Sequence, residues 1–321
     1  MMLDSKIKMI ISSSIFLLSA SHALIDAACA FSIFFLLKQD GIVKENFFIL
    51  VVIYNILAFG LEVPLGMIAD KFKISVKFAA LGCITVAIAI FFTDFTALAT
   101  VFLAGIGNAL FHVGGGIVAL NLKPKKATVP GIFVAPGALG LLMGTIIGKE
   151  MSFTFWPFVV LLIAAAILIM LIKKPEINYN QDIKNKTNYA ELVVILILLS
   201  VAIRSLVGLA LIYPWKQDIN LLIIFTLFVF LGKALGGIIG DRFGWMRVSV
   251  ISLLISAPLL TLGSSSVLCR MIGIFLFNMT MPITLTAISN LLPGRAGLSF
   301  GLTTLALLVG ALITFTPLKN F

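Results

Sequence analysis

Charged residues are scarce in this sequence. Only 11% of its 321 residues are charged, whereas soluble domains carry about 25%. Cysteine and histidine are also rare, and Cys29, Cys83 and Cys269 show no spacing typical of disulfides or metal sites. The chain is 61% hydrophobic, more apolar surface than one soluble core can bury. These deficits exclude a soluble enzyme, a disulfide-rich secreted domain and a nucleic-acid-binding protein.

Eleven apolar runs are long enough to cross a bilayer, which needs about 20 residues. The first run continues through Leu37, so it predicts a transmembrane helix rather than a signal peptide over residues 1–23. We therefore predict an all-α membrane protein with about 11 transmembrane helices. The predicted spans, numbered one to eleven, are 9–37, 46–68, 76–93, 96–121, 128–148, 154–172, 190–213, 220–240, 247–264, 271–291 and 297–317.

Lysine and arginine predict the orientation of the chain. Fifteen of them fall in alternate connections, against six in the connections on the other side. The richer connections contain 6–8, 71–77, 123–126, 173–186, 242–247 and 295. Because cytoplasmic loops carry the excess of positive charge, we expect the N-terminus in the cytoplasm and the protein in the plasma (inner) membrane. The net charge of +10 thus indicates topology, not nucleic-acid binding.

The chain repeats itself internally. Residues 66–72, GMIADKF, match 237–243, GIIGDRF, at an offset of 171, and Asn108 matches Asn278 at an offset of 170. Six spans per repeat make the two copies parallel, as in one class of transporters. We predict an N-terminal six-helix bundle over 1–172, a cytoplasmic linker over 173–189 and a C-terminal five-helix bundle over 190–321. The offset predicts that the chain ends before a twelfth helix.

The repeated loop resembles the G-x-x-x-D-[RK]-x-G-[RK] loop of the major facilitator superfamily. The second copy keeps Gly244, whereas the first has Lys73 at that place. The resemblance implies a two-bundle architecture in which the loop aspartate caps and pairs across the interface between the halves. It assigns a gating role to Asp70, Lys71, Asp241 and Arg242. The alternative is that these loops serve only as topology determinants.

The fourth and fifth spans resemble exporters of the same superfamily. The fifth contains GIFVAPGALGLLMG, and the fourth contains Gly107-Asn108-Ala109-Leu110-Phe111-His112, which is faintly similar to fosmidomycin-resistance-type exporters. This resemblance implies efflux of a small solute. Close helix packing by small residues is the alternative explanation of the fifth span.

Several polar residues lie at membrane depth, where they usually face a cavity or a partner. His22 and Asp26 are four residues apart on span one, and we expect them to couple transport to protons unless they form a static pair. Asn108 and His112 are predicted to contact substrate or to join helices. The candidate substrate-binding or proton-coupling residues lie on spans one, four, seven and ten, which line the central cavity in the superfamily: His22, Asp26, Asn108, His112, Arg204 and Asn278.

Arg204 must find a carboxylate, a carbonyl or an anionic ligand, because a guanidinium stays charged. The sequence allows a pair with Asp26 across the cavity or a contact with an anionic group of the substrate. Glu62 and Lys233 occupy equivalent repeat positions with opposite charges. We expect both to belong to the cytoplasmic gate.

No nucleotide-binding, metal-binding or catalytic motif is present, so we predict no enzyme, cofactor or metal. The sequence predicts a secondary active transporter that works by alternating access, with proton-coupled efflux as the first choice. Its expected partners are a small-molecule solute, protons and the lipid bilayer, and it is expected to act as a monomer. The alternatives are an uptake or facilitative carrier, a truncated non-transporting membrane protein and, last, a membrane-embedded enzyme.

Overall fold

The computed structural model describes residues 2–37, 44–150, 154–172, 189–211, 213, 218–263 and 266–314. Its regular structure in these ranges is entirely helical. The α-helices are α1 Met2–Leu36, α2 Lys44–Asn55, α3 Glu62–Phe72, α4 Ser75–Phe91, α5 Ala97–Leu122, α6 Thr128–Val134, α7 Pro136–Glu150, α8 Trp156–Met170, α9 Ala190–Ala210, α10 Ile219–Phe243, α11 Trp245–Thr261, α12 Val267–Leu291 and α13 Ala296–Ile313.

Two of the predicted spans consist of two helices each. A π-helical segment, Ile56–Gly60, joins α2 to α3 in the second span. Pro136 begins α7 directly after α6, and a proline cannot continue the hydrogen-bond ladder of the preceding helix. These two breaks place irregular backbone next to the centre of the molecule, where side chains from α1 and α5 gather.

The predicted all-α membrane fold is confirmed. Nine helical spans in the described part of the chain are long and apolar enough to cross a membrane, and α8 and α11 are shorter apolar helices. The chain is thus a multi-pass membrane protein. The predicted linker lies almost wholly outside the described residues, as does the end of the predicted eleventh span.

The glycine-rich α7 packs directly against α1. A Cβ atom at Gly140 or Gly144 would overlap the backbone carbonyl oxygen of Ala23 or Ala27, respectively. Small residues thus allow the two helix backbones to approach closely. This contact explains Gly140 and Gly144 of the predicted fifth span by helix packing, the alternative that the sequence left open.

The most extensive helix contacts between the two repeats are those of α3 with α13 and of α6 with α10. Both contacts lie near the turns at 73–74, 123–127, 244 and 292–295, which we call the basic face. Gly66 packs against the backbone of Gly297, and Gly237 packs against Ala127 in the equivalent place. Positive φ angles, 56° at Lys73 and 97° at Gly244, end α3 and α10 alike. The repeat seen in the sequence is therefore also a repeat of interhelical contacts.

Candidate functional site

Two histidines and one aspartate meet between α1 and α5. The Nε2 atoms of His22 and His112 are 2.8 Å apart. Asp26 places Oδ2 3.3 Å from His22 Nε2 and Oδ1 3.5 Å from His112 Nε2. Both histidines are buried, and the Asp26 side chain is 20% exposed. We call these three residues the central cluster.

The other nitrogen of each ring is bound to a backbone carbonyl oxygen. His22 Nδ1 lies 2.7 Å from the oxygen of Phe133, and His112 Nδ1 lies 2.9 Å from the oxygen of Asn108. A carbonyl oxygen only accepts hydrogen bonds, so each Nδ1 carries a proton. The bond between the two Nε2 atoms then requires one further proton. A hydrogen bond at this distance would give the pair three protons and one positive charge beside the Asp26 carboxylate.

Asn108 extends the cluster toward α2. Its Nδ2 lies 3.1 Å from the hydroxyl oxygen of Tyr54 and 3.5 Å from Asp26 Oδ1. Its Oδ1 is buried without a partner among the described residues. No sequence pattern indicated Tyr54. The side chain of its neighbour Asn55 bonds the Val51 carbonyl of its own helix instead.

Gly137, in the first turn of α7, leaves room for the cluster. A Cβ atom there would overlap Asp26 Oδ2 and would lie 2.6 Å from His22 Nε2. The ring of Phe133 packs on the other side of His22, with ring centroids 4.7 Å apart. The chain around the break between α6 and α7 thus contacts His22 in three ways: through the Phe133 carbonyl, through the Phe133 ring and through the backbone at Gly137.

The cluster offers three ligand atoms of the kind that hold transition metals. Metal–nitrogen bonds of about 2.0–2.1 Å in a tetrahedral site place two nitrogens about 3.3 Å apart. The observed distance of 2.8 Å is that of a hydrogen bond instead. The geometry therefore fits a shared proton better than an ion.

Lys233 and Glu62 differ in their surroundings although they occupy equivalent repeat positions. Glu62 is fully buried, and its Oε2 accepts a 2.6 Å hydrogen bond from Thr304 Oγ1. Lys233 interacts electrostatically with Asp26 and with Arg204. Glu62 thus joins α3 to α13 beside the interface between the repeats, whereas Lys233 connects the central cluster electrostatically to the second repeat.

Arg204 does not pair with Asp26. Its Nη1 donates to Thr280 Oγ1 at 2.8 Å, and its Nη2 is buried without a hydrogen-bond partner among the described residues. Asp26 is instead engaged by the two histidines. Of the two roles that the sequence allowed for Arg204, the pair with Asp26 is thus absent. Asn278 bonds the Ile274 carbonyl of its own helix.

The two repeated aspartates each cap a helix of the other repeat. Asp70 accepts hydrogen bonds from the backbone N–H groups of Gly297 and Leu298 at 2.8 and 2.9 Å, at the start of α13. A carboxylate at a helix N-terminus satisfies free N–H groups and complements the helix dipole.

Asp241 makes the equivalent contacts at the start of α6. It accepts from the backbone N–H groups of Ala127 and Thr128 at 3.0 and 2.9 Å, and from Trp245 Nε1 at 2.9 Å. The neighbouring cations, Lys71 and Arg242, are exposed and lie over the rings of the phenylalanines that follow them. The two caps thus link the repeats at the basic face.

Solved structures with this fold include several transporters. The chain is similar to the outward conformation of FucP, a major facilitator superfamily transporter, with a TM-score of 0.66, 13% identity and coverage of 93% of this chain and 89% of that one. It is also similar to the human organic anion transporter MFSD10, with a TM-score of 0.67, 13% identity and coverage of 97% and 95%.

A third similar structure is the proton:xylose symporter XylE, with a TM-score of 0.61, 12% identity and coverage of 94% and 87%. These likenesses show that the chain has the major facilitator superfamily fold. The sequence itself matches no protein-family model and no curated protein.

Proposed function

We propose that this chain is a proton-coupled secondary transporter for a small solute. The observation that carries the proposal is the 2.8 Å contact between His22 Nε2 and His112 Nε2, a distance at which a hydrogen bond would take up one excess proton. Similar structures include a fucose:proton symporter and a proton:xylose symporter. The proposal joins that fold to a proton site made by this chain's own residues.

The central cluster supplies the coupling step. Loss of the excess proton removes the bond between the two Nε2 atoms and leaves the charge of Asp26 unbalanced. The charged and titratable groups that then act on Asp26 are Lys233 from α10, Glu62 from α3, Tyr54 from α2 and Cys29 from α1. Because His22 also holds the Phe133 carbonyl of α6, we propose that protonation controls how α1 packs against α5 and α6.

Asp70 and Asp241 supply the gate in this proposal. Both carboxylates hold the repeats together at the basic face, which we assign to the cytoplasmic side of the plasma (inner) membrane. Opening that face requires each carboxylate to release the helix N-terminus that it caps. Charged capping contacts are suited to such rearrangements between rigid bodies because they are local and reversible.

Efflux is the direction that we propose, on the resemblance of the fourth span to exporters. A six-helix bundle over 1–172 and a five-helix bundle over 190–321 would act as the two moving bodies. The described central cluster belongs to α1 and α5 of a single chain, which is consistent with a monomer as the working unit.

Proton movement in proteoliposomes tests the function. The vesicles contain a pH-sensitive dye and receive L-fucose, D-xylose or benzoate in turn, probes that follow the names of the similar structures. We expect at least one probe to move protons with the wild-type protein and Asp26→Asn to abolish that movement. Asp94→Asn is the matched control, since Asp94 lies in the short 3-10 turn after α4.

Reversing the pH gradient distinguishes efflux from uptake. An exchanger moves solute in the direction opposite to the protons, which suits efflux, whereas a symporter moves solute in the same direction as the protons, which suits uptake. Unchanged proton movement in Asp26→Asn would remove Asp26 from the coupling step. Solute flux that ignores the gradient in the wild type would indicate a facilitative carrier instead.

A further inference from the structure

Glu62 is a fully buried carboxyl group at the contact between α3 and α13. A Cβ atom at Gly301 would overlap the backbone of Glu62, and one at Gly66 would overlap the backbone of Gly297, so the two helices touch along a full turn. Glu62 forms no ion pair with a cation among the described residues. The carboxyl group is thus enclosed in an interface between the repeats without a balancing charge.

The two oxygens of Glu62 are satisfied unequally. Oε2 lies 2.6 Å from Thr304 Oγ1, and Oε1 is buried without a hydrogen-bond partner among the described residues. The Thr304 hydroxyl fits this contact either as the donor to a charged Glu62 or as the acceptor from a protonated one. It also lies 2.9 Å from the carbonyl oxygen of Gly301, which only accepts. Because a hydroxyl carries one proton, donation to Gly301 requires that the proton between Thr304 and Glu62 comes from Glu62.

Glu62 also lies deep in the membrane. It begins α3, about 15 Å along the helix axis from Phe72 at the other end. The hydrocarbon core of a bilayer is about 30 Å thick, so this position is near its middle. A charged carboxylate with an unpaired oxygen is costly there, whereas a protonated carboxyl group carries no charge. Carboxylic acids kept neutral in apolar sites donate hydrogen bonds in the same way.

The equivalent contact between α6 and α10 lacks this pair of side chains. Gly131 of α6 lies close to the carbonyl oxygen of Lys233, the repeat equivalent of Glu62. Val134 of α6 stands where the repeat offset places Thr304 of α13. An interface of this kind therefore closes without a bond between a carboxyl group and a hydroxyl group, so helix packing alone does not require the bond.

Glu62 directly follows a break in its span. The π-helical segment Ile56–Gly60 separates α2 from α3, and only Leu61 lies between this segment and Glu62. A Cβ atom at Gly60 would meet only ordinary contacts at 3.8 and 3.9 Å, so the end of the segment is not tightly packed. Single π-helical turns are frequent at functional sites, and hinges lie at the ends of elements. Release of α13 would thus allow α3 to move relative to α2.

Other titratable groups surround this contact. Asp26 of α1 and Tyr54 of α2 interact electrostatically with Glu62, and His112 of α5 lies beside Asp26. At the other end of α3, Asp70 interacts with Arg295 and caps α13. The described part of α13 contains no titratable side chain. Protonation of Asp70 would remove its cap and loosen the interface, which is the opposite of the effect expected at Glu62.

We propose that Glu62 is a proton-binding site of the closed basic face, distinct from the central cluster. With the proton bound, Glu62 donates to Thr304, Thr304 donates to the Gly301 carbonyl, and α3 stays on α13. Transfer of the proton to water leaves a carboxylate that is unstable in this enclosed contact, so α3 turns at the π-helical segment and the basic face opens. The inference rests on the alternating movement in the proposed function, but it needs neither the histidine pair nor a particular solute.

Infrared spectroscopy of the purified protein in neutral detergent tests the bound proton, because a protonated carboxyl group has a carbonyl stretching band that a carboxylate lacks. We expect the wild type at neutral pH to show this band and Glu62→Gln to lose it. Thr304→Val keeps the size of the side chain but removes the acceptor, so the band should persist at a shifted frequency. Glu191→Gln is the matched control, since Glu191 is exposed in the first turn of α9.

Spin labels at Lys73 and Arg295, which are exposed on the two sides of the contact, measure the opening. We expect the mean distance in the wild type to lengthen as the pH rises, because Glu62 then loses its proton. Glu62→Gln is neutral at every pH, so it should keep the short distance and abolish the change. Glu191→Gln should behave as the wild type does.

Four outcomes would overturn the inference. They are an unchanged band in Glu62→Gln, a band that Thr304→Val leaves at its original frequency, a pH-dependent distance in Glu62→Gln, and opening at low instead of high pH. The last of these has the sign expected for Asp70, which gives up its cap of α13 when it gains a proton. The infrared test of Thr304→Val stands by itself if Glu62→Gln does not fold.

Both measurements need no solute and no pH gradient, so this inference and the proposed function can fail separately. A bound proton on Glu62 in a protein that never moves protons across the membrane would contradict the function and retain the site. Proton-coupled flux in a protein whose infrared band does not depend on Glu62 would retain the function and contradict the site.

Discussion

The Nε2 atoms of His22 and His112 face each other at 2.8 Å, while the opposite nitrogen of each ring donates to a backbone carbonyl. Neither ring can turn away without giving up its carbonyl, so the pair is held in a geometry that suits one shared proton. Asp26, on the same helix as His22, lies beside the pair and would balance its positive charge.

Replacement of either histidine should uncouple flux from the pH gradient. His22→Gln and His112→Gln each remove one side of the shared bond, so we expect each to reduce gradient-driven flux by at least tenfold. The double variant should be no worse than either single one, because residues that act as one unit are not additive. Flux in proteoliposomes with and without a pH gradient measures all three variants.

Cys83→Ala, a change in the buried interior of α4, is the control for these variants. Additive losses in the double variant would show that the two histidines act independently. Gradient-driven flux that survives in both single variants would contradict the role of the pair.

Loss of the capping charges should loosen the basic face. Asp70→Asn and Asp241→Asn each remove a charge from a helix N-terminus, and lost caps cost about 0.5–2 kcal/mol. A cysteine at Ala127 or Ala296, both buried beside these caps, reports the change through its rate of labelling by a soluble maleimide. We expect Asp241→Asn to accelerate labelling at 127 and Asp70→Asn to accelerate it at 296.

Transport should fall in both aspartate variants while membrane insertion is unchanged. Asp94→Asn is a useful control because Asp94 is an exposed carboxylate in the 3-10 turn Phe92–Asp94 and has no assigned role in the gate. Labelling rates that match the wild type would contradict a gating role for the two carboxylates.

The sequence predicted the aspartate contacts better than the central cluster. Asp70 and Asp241 stand in a motif that occurs twice, so the resemblance assigned both of them a contact between the halves. His22 and His112 are 90 residues apart, and helical spacing can relate only residues three or four apart, such as His22 and Asp26. The pairing of the histidines depends on how α1 packs against α5 and on the break between α6 and α7, neither of which spacing reveals.

The second span shows a further limit of helical periodicity. The π-helical segment Ile56–Gly60 widens one turn, which rotates the residues that follow relative to a regular helix. Tyr54 before this segment bonds Asn108 on α5, and Glu62 after it reaches Thr304 on α13. A pattern of 3.6 residues per turn therefore does not predict which faces these side chains occupy.

Gly66→Ala should favour opening of the basic face. A Cβ atom at Gly66 would overlap the backbone of Gly297, and backbone cannot move aside as a flexible side chain can. Overpacking of this kind costs about 1–3 kcal/mol. Spin labels at Lys73 and Arg295, both exposed, should report a longer mean distance in the variant than in the wild type.

Gly208→Ala is the control for this substitution, since its Cβ would meet only Phe277 at an ordinary contact distance of 3.7 Å. An unchanged distance distribution in Gly66→Ala, together with wild-type transport, would show that the close approach of α3 and α13 does not limit the closed state.

Gly137→Ala should disturb the proton site without unfolding the protein. The added methyl group would meet Asp26 Oδ2 and His22 Nε2, the ends of side chains that can rotate away, rather than fixed backbone. The fold should therefore survive, with a melting temperature close to that of the wild type, whereas the distances among His22, Asp26 and His112 must change. We expect the pH dependence of transport to shift and gradient-driven flux to fall by at least tenfold.

Gly140→Ala provides the contrast: its methyl group would meet the backbone of Ala23, so it should lower the melting temperature. Wild-type pH dependence in Gly137→Ala would show that the tight geometry of the cluster is not needed for coupling.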